Sequence, residues 1–473
     1  MQDVEIHHAL RRPGIVHRLA LALVWLTVAA SVVVFAEPAP VDLLMMGLIV
    51  LLPVIGLVAI RRDLLLYLAG WLVITAAGFY ASIIADDFPR STTHNAITLF
   101  LAIGSFAVAA FVARRPARHA RLILGAYTFG ATLASLLAIV GYFGLIPEAT
   151  AWFTLHQRAS GTFKDPNVFG PFLVPAIVYS LHSWLERPLA RLGHGVLILP
   201  TLTLAMLLTF SRGAWLALAI AVVTYGYVAL VTAVTNRERV KIITLASVGA
   251  VAASALIAAS LQVDAVARLF DQRAALTQSY DVGPDGRFGG HERAIELILS
   301  SPFGIGSREF GGRLHPEDPH NVYLSMLLNT GWLGGIGYSL IIAGTLWLGL
   351  ARCARRTAMR PLLIVVVASL LGIAVLGFVI DQDHWRHLFL LLGLAWGVMS
   401  GDRAIRRERR IVGARFLVPR ERPRMAPLRR PARIIGPAWR RVPVTAPGRA
   451  ATTRSRAKRL RRAGRIFGAA GTC

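Results

Sequence analysis

Residues 196–234, VLILPTLTLAMLLTFSRGAWLALAIAVVTYGYVALVTAV, form an apolar run of nearly forty residues, interrupted at its midpoint by Ser211-Arg212-Gly213. A helix needs about 20 apolar residues to cross the hydrocarbon core of a bilayer. The run therefore reads as two spans joined by a tight polar connection. Inside lipid only helices and closed barrels satisfy their own backbone. Strict apolar/polar alternation over segments of about ten residues, the mark of a barrel, is absent. Arg212 is thereby set at a membrane edge.

Working outward from this hairpin, similar runs recur along almost the whole chain. They predict an all-α polytopic membrane protein with about 12 transmembrane helices, at roughly 17–36, 41–60, 64–85, 95–113, 122–146, 168–185, 195–210, 213–234, 241–262, 321–350, 361–380 and 387–401. The tenth is long enough to tilt or to include a turn. Composition agrees: 55% of the 473 residues are hydrophobic and 16% charged, against about 25% charged in soluble domains. The first run follows Arg11, Arg12 and Arg18 and ends at Val34-Phe35-Ala36. A signal peptide could end that way, but the run is long for one, so an uncleaved first span is expected. No internal repeat is visible.

Lys and Arg in short loops orient the spans. Arg61-Arg62, Arg114-Arg115 with Arg118, Arg187 with Arg191, Arg237 with Arg239 and Lys241, and Arg352 to Arg360 fall in alternate connections. The other set holds Glu37, Asp42 and Asp86-Asp87 with few cations. The alternation places both termini in the cytoplasm. It leaves two long segments outside, about 147–167 and 263–320, the second forming a large loop between helices 9 and 10. This loop is too long to be a simple turn. It holds a helix expected at Arg287–Ser300 and a Pro302–Gly306 turn, and should pack on the bundle as a lid or platform.

Residues 402–473 form a separate basic region. They carry 22 Lys and Arg against 3 acids, +19 of the formal +26, so the first 401 residues hold only +7. Rich in Arg and Pro, this tail cannot bury a core and is expected to be disordered. Its scattered Ile434, Ile435, Trp439, Ile466 and Phe467 suit anionic lipids of the cytoplasmic leaflet; a merely solvated tail is the plainer alternative. Nucleic acid is not an expected partner of a membrane-tethered tail. Cys353 and Cys473 imply neither a disulfide framework nor a thiolate metal site.

Four polar islands beside the spans carry basic groups where the charge rule disfavours them. The first holds Arg158 and runs through Gly161 and Lys164 to Asp165-Pro166-Asn167, whose turn residues can cap the next span. The second is Thr209 to Trp215. Small neighbours leave the Arg212 guanidinium accessible, and a planar guanidinium binds phosphate oxygens in pairs. The third is Asp285-Gly286-Arg287-Phe288 with Arg293, where a loop salt bridge is the alternative. The fourth is Pro319-His320-Asn321-Val322-Tyr323, in which His320 could serve as a general base near neutral pH or simply as a helix-start residue. Asp381, Asp383, His384, Arg386 and His387 form a weaker fifth cluster. A Gly-rich P-loop and an HExxH zinc motif are missing. The acids on the outer side form no obvious metal pair, so charge neutralisation falls to arginine and no cofactor is expected.

These islands, in this order, resemble the O-antigen ligase / O-antigen polymerase superfamily of bacterial inner-membrane proteins. The matching stretches are GTFKDPNVFGPFL, TFSRGAWLAL, the GR of DGRFGGHERA, PFGIGSREF and PHNVYLSMLLNTGWLGGIGY, over about residues 158–338. The resemblance implies a metal-independent, inverting glycosyltransferase. It would take a glycan from undecaprenyl diphosphate at the periplasmic face and pass it to lipid A–core, to a growing polysaccharide, or to a protein hydroxyl. Arg212 and Arg287 would bind the donor diphosphate and His320 would activate the acceptor. Asn321 would help, with Arg158, Tyr323 and Arg293 as substrate contacts. The long basic tail departs from the family pattern, and the motifs do not choose the acceptor. A transporter or flippase of lipid-linked sugar is the competing class. It would need ionisable or broken-helix positions near mid-membrane and repeat symmetry, whereas these candidates cluster at one boundary. A structural partner of an export complex is the third reading.

Overall fold

A helix that is apolar around its whole circumference must be buried in protein or in lipid. The chain is built almost entirely of such helices. The computed structural model describes residues 14–35, 37–187, 189–260, 262, 283 and 286–417, with side chains described as far as Arg407. In chain order the helices are α1 (Ile15–Ala29, continued by a 3-10 turn to Val32), α2 (Pro40–Val54), α3 (Arg62–Ile83), α4 (Phe88–Arg114) and α5 (Pro116–Tyr142). There follow the short α6 (Pro147–Phe153), α7 (Pro166–Glu186), α8 (a π turn at His194–Ile198, then Leu199–Leu208), α9 (Arg212–Thr232) and α10 (Asn236–Ser260). The last are α11 (Arg287–Ser300), α12 (Val322–Cys353), α13 (Arg360–Leu376) and α14 (Arg386–Leu417).

Eight of these are long and apolar enough to cross a membrane: α1, α3, α4, α5, α7, α9, α12 and α14. Three more, α2, α8 and α13, are shorter apolar helices of 10–17 residues. Each expected span overlaps one of these eleven helices or α10, which is not among the eleven. The protein is an all-α membrane protein. Among the described residues the one sheet is a two-residue pair, β1 (Thr154–Leu155) against β2 (Arg158–Ala159). The 147–167 segment is thus more ordered than a bare loop, holding α6 and this hairpin. Residues 1–415 form one compact unit.

Helix starts follow local chemistry. Asp87 accepts from the Arg90 amide (3.1 Å) to open α4, and Asp165 accepts from the Asn167 amide (2.7 Å) to open α7. Each start has a proline in its first turn, where no amide is missed. Large rings fill the interior: Trp71 of α3 meets Tyr338 of α12 (6.1 Å) and Phe389 of α14 (4.9 Å).

The connections after α1, α3, α5, α8, α10 and α13 meet at one end of the bundle. The Val34 amide donates to the Thr162 carbonyl (3.0 Å) and the Asp87 amide to Glu309 Oε1 (2.8 Å). Arg158 Nε donates to the Thr209 carbonyl (2.7 Å), and the Val322 amide to the Gly377 carbonyl (2.8 Å). Arg386 at the start of α14 grips Asp42 of α2 through two bonds of 2.7 Å.

The long tenth span is not a straight helix. Gly331 breaks α12 with φ 67° and ψ −175°. The Pro302–Gly306 turn docks on this break. The Ile305 amide donates to the Leu328 carbonyl (2.8 Å) and the Trp332 amide to the Pro302 carbonyl (2.9 Å). A Cβ on Gly331 would sit 2.5 Å from the Phe303 carbonyl carbon, and one on Gly304 2.6 Å from the Gly331 nitrogen. Only glycine allows this backbone approach. The broken helix and the turn thus satisfy each other, as interrupted backbone at membrane depth must.

Candidate active site

At the end where these connections meet, a cavity of about 670 Å³ opens between the α8–α9 turn, the start of α7, the start of α11, the chain leading into α12 and the α13–α14 connection. Arg158, Arg212 and His320 all line it. Three residues far apart in sequence and singled out from it share one cavity.

Each is fixed by local structure. Arg212 is the first residue of α9, whose N-cap Ser211 accepts from the Ala214 amide (3.4 Å). The preceding Phe210 adopts φ 47°, which makes the α8–α9 turn tight. The exposed amides at a helix start add positive potential to the Arg212 cation. Arg158 is only 8% exposed. Its Nε holds the Thr209 carbonyl and its Nη2 donates to Asn167 Oδ1 (2.7 Å), so it ties the α8–α9 turn to the start of α7. His320 adopts φ 49° just before α12, and its Nε2 donates to Glu317 Oε2 (3.1 Å). The left-handed region is uncommon for a non-glycine residue and often marks function.

The remaining expected residues stand elsewhere. The Asn321 side chain caps α12, accepting from the Tyr323 (3.1 Å) and Leu324 (3.4 Å) amides. The Tyr323 hydroxyl donates to the Ala374 carbonyl of α13 (2.7 Å). Arg293 forms a solvent-exposed pair with Glu296 (2.9 Å). None of the three lines the cavity. Arg287 begins α11, but its side chain lies outside the described residues. The next residue, Phe288, and His291 one turn later do line the cavity.

The structure adds His291, Asp318, Asp165 and Asp381 to the lining. His291 Nε2 donates to the Pro319 carbonyl (2.7 Å), which braces the residue before His320. Its spacing of four from Arg287 on an expected helix is the signal that could have found it. Asp381 accepts from Ser325 Oγ (2.6 Å). Burial and the neighbouring Asp383 carboxylate push Asp381 up to about 6. Burial also opposes ionisation of Asp383, but the His384 charge and a hydrogen bond from His94 Nε2 (2.8 Å) outweigh it and hold that carboxyl below the usual range.

His94, Asp383 and His384 bring three potential ligand atoms within 4.8 Å of one another. As placed, they cannot share an ion. The two imidazoles are stacked at 3.9 Å with planes 24° apart. A metal sits in the plane of its imidazole about 2.0–2.1 Å from the nitrogen, and these planes do not meet at that distance. Thr98 Oγ1 also engages His384 Nε2 (3.0 Å). The cluster is a hydrogen-bonded polar patch.

Helices of membrane-spanning length with a cavity at one end, lined by Arg158 and by Arg212 at a helix start, define an all-α membrane protein. Residues 195–339 match the family model described as O-Antigen ligase. The match supports the O-antigen ligase superfamily, the family that the five stretches resemble, and with it glycan transfer of the ligase or polymerase type at family level. It covers Arg212, Arg287 and His320 but neither Arg158 nor the α13–α14 connection. No curated protein matches the chain.

Proposed function

We propose that this protein transfers a glycan from undecaprenyl diphosphate to an acceptor hydroxyl at the periplasmic face of a bacterial inner membrane, in the manner of an O-antigen ligase. The observation that supports this reading is that Arg158, Arg212 and His320 all line one cavity. In this topology residues 1–401 form the transferase domain with twelve spans. Both termini are cytoplasmic, and the basic 402–473 tail lies against anionic lipid.

The donor diphosphate lies against Arg212, the amides at the start of α9, and Arg287. The acceptor oxygen attacks the anomeric carbon as the bond to the diphosphate oxygen breaks. The bonding electrons leave with undecaprenyl diphosphate, and the anomeric centre inverts. Negative charge grows on the leaving group, so fixed cations stabilise the transition state more than the bound donor. His320 takes the hydroxyl proton at Nδ1, with Glu317 on its Nε2 holding the ring. Arg158 and Asn321 are positioning residues: one fixes the α8–α9 turn, the other the start of α12 beside His320. Lipid A–core is the preferred acceptor, with a growing polysaccharide as the alternative within the same family.

The test is release of undecaprenyl diphosphate by purified protein given lipid-linked glycan, candidate acceptors and EDTA. Turnover that survives EDTA and is lost in Arg212→Ala, Arg287→Ala and His320→Ala is the expected result. Donor binding without turnover for any acceptor would sink the transferase reading in favour of a transporter. Full activity in His320→Ala would overturn the base assignment alone.

A further inference from the structure

The α11 helix has three faces, and one of them is apolar and bare. Its inner face is packed: Ala294 and Ile298 are buried with Phe310 and with Leu328 of α12. Its outer face carries the exposed ion pair of Arg293 and Glu296. Between the two run Phe288, Ile295 and Leu299, spaced seven and four residues apart and therefore on one stripe. Ile295 is 48% exposed and Leu299 68% exposed. Glu292, also exposed, borders the stripe on its polar side. A helix resting on a bundle in water needs only a packed face and a polar one. A third face, apolar and uncovered, is the pattern of a helix lying in a membrane interface.

The neighbours of the stripe say what covers it. The end of α11 is tied to α12, where Trp332 Nε1 donates to the Ile298 carbonyl (2.8 Å). The turn that follows sets Phe303, 62% exposed, edge-on against Tyr80 of α3 at 5.5 Å. Tyr80 and Ile83 at the end of α3 are exposed as well, as are Trp332 and Leu333 of α12. Both helices are long and apolar enough to cross a membrane, so lipid is what their bare apolar side chains meet. Trp and Tyr gather where hydrocarbon gives way to headgroups. Here Tyr80 touches Phe303, and the Trp332 amide is bonded to the Pro302 carbonyl beside it. The stripe on α11 therefore continues a surface that already belongs to lipid.

We infer that α11 and the Pro302–Gly306 turn lie in the membrane interface at the cavity end of the bundle, with Ile295, Leu299 and Phe303 among the phospholipid chains. The partner is the bilayer itself. The inference needs only that α3 and α12 span the membrane, and it holds whether or not the chain transfers a glycan. Its consequence is local to the cavity. Phe288 and His291 line the cavity from this same helix, so the bilayer helps to fix the position of that side.

Depth-dependent quenching tests it with the full chain in nanodiscs of phosphatidylethanolamine and phosphatidylglycerol. Cys473→Ser removes the terminal thiol, and Cys353 is buried. In that background the single-cysteine variants Ile295→Cys, Leu299→Cys and Phe303→Cys each carry a small fluorophore. Arg293→Cys is the water-facing reference and Leu340→Cys the lipid-facing one. The quenchers are aqueous iodide and a phospholipid bearing a nitroxide just below its headgroup. An interfacial apolar face lies about 5–10 Å into the boundary of headgroups and chains, so the nitroxide lipid should quench the three stripe positions about threefold more than Arg293→Cys. Iodide should give the reverse order. Iodide reaching the stripe as readily as Arg293→Cys places the helix in water and overturns the inference. Protection from both quenchers shows that protein covers the stripe, as in contact with a second copy, and overturns it equally.

Discussion

Arg212 and Arg158 line the same cavity but do different work. Arg212 joins its charge to the positive end of α9, so its removal should act on the departing diphosphate. Arg212→Ala is expected to lower kcat by about 10²–10³-fold, the usual effect of losing one charge-stabilising donor, with folding intact by thermal melt. Arg158 spans the Thr209 carbonyl and Asn167 Oδ1 with bonds of 2.7 Å each. A lysine cannot reproduce that fork. Arg158→Lys should therefore lower both the melting temperature and activity, by about 1.5–3 kcal/mol of stability. An activity loss with an unchanged melt would contradict a positioning role. Asp381 gives a pH signature. Its native carboxyl, raised from 3.8 to about 6, holds its proton more tightly than the unfolded chain does. Its stabilising contribution is complete below about pH 4 and lost as pH rises to about 6. Asp381→Asn cannot ionise yet keeps an acceptor for Ser325, so it should flatten that window and melt above wild type at pH 7–8. Of these residues, Arg212 and His320 were legible because each interrupts or opens an apolar run. The grip of Arg158 on Thr209 was not, since a bond between groups 51 residues apart leaves no mark on local pattern. Asp381 read only as a member of the weaker fifth cluster for the same reason.

At the scale of elements, the informative device is the broken α12 and the turn lodged against it. The sequence marked Pro302–Gly306 as a turn and the tenth span as overlong, yet only the fold brings the two into one contact. Gly331→Ala would force a side chain into left-handed backbone and against Phe303. It should cost about 1–3 kcal/mol from the backbone alone, more with the clash, and should loosen the chain leading to His320. A melt in detergent within about 1 °C of wild type would show that the turn does not depend on the break. The long apolar helices were legible, because the bilayer imposes span length and cation placement, but their ends were not: α4 starts at Phe88 rather than 95 and α14 runs to Leu417 rather than 401. The α6 helix and the β1–β2 hairpin were not, since neither is long or periodic enough to stand out.

For the molecule as a whole, every residue of the proposed chemistry lies before α14, and residues 402–473 carry +19 of the formal charge. Removing residues 418–473 should leave undecaprenyl diphosphate release within about twofold, while a fluorescent peptide of that tail should bind vesicles containing anionic lipid. The attraction is worth about 1 kcal/mol per basic residue near the surface and fades with salt. Equal binding to neutral vesicles would remove the electrostatic account.

The grip of Arg386 on Asp42 and the closure of the cavity by residues 376–385 bear on biogenesis. A ribosome delivers this chain from α1 onward, so Arg158, Arg212 and His320 reach the bilayer while the α13–α14 side of their cavity is still unmade. The α13–α14 connection completes the cavity with Phe378, Val379, Asp381 and Trp385, and Arg386 at the start of α14 then clasps Asp42. A chain terminated before the α13–α14 connection therefore holds the proposed catalytic side chains without the wall that encloses them.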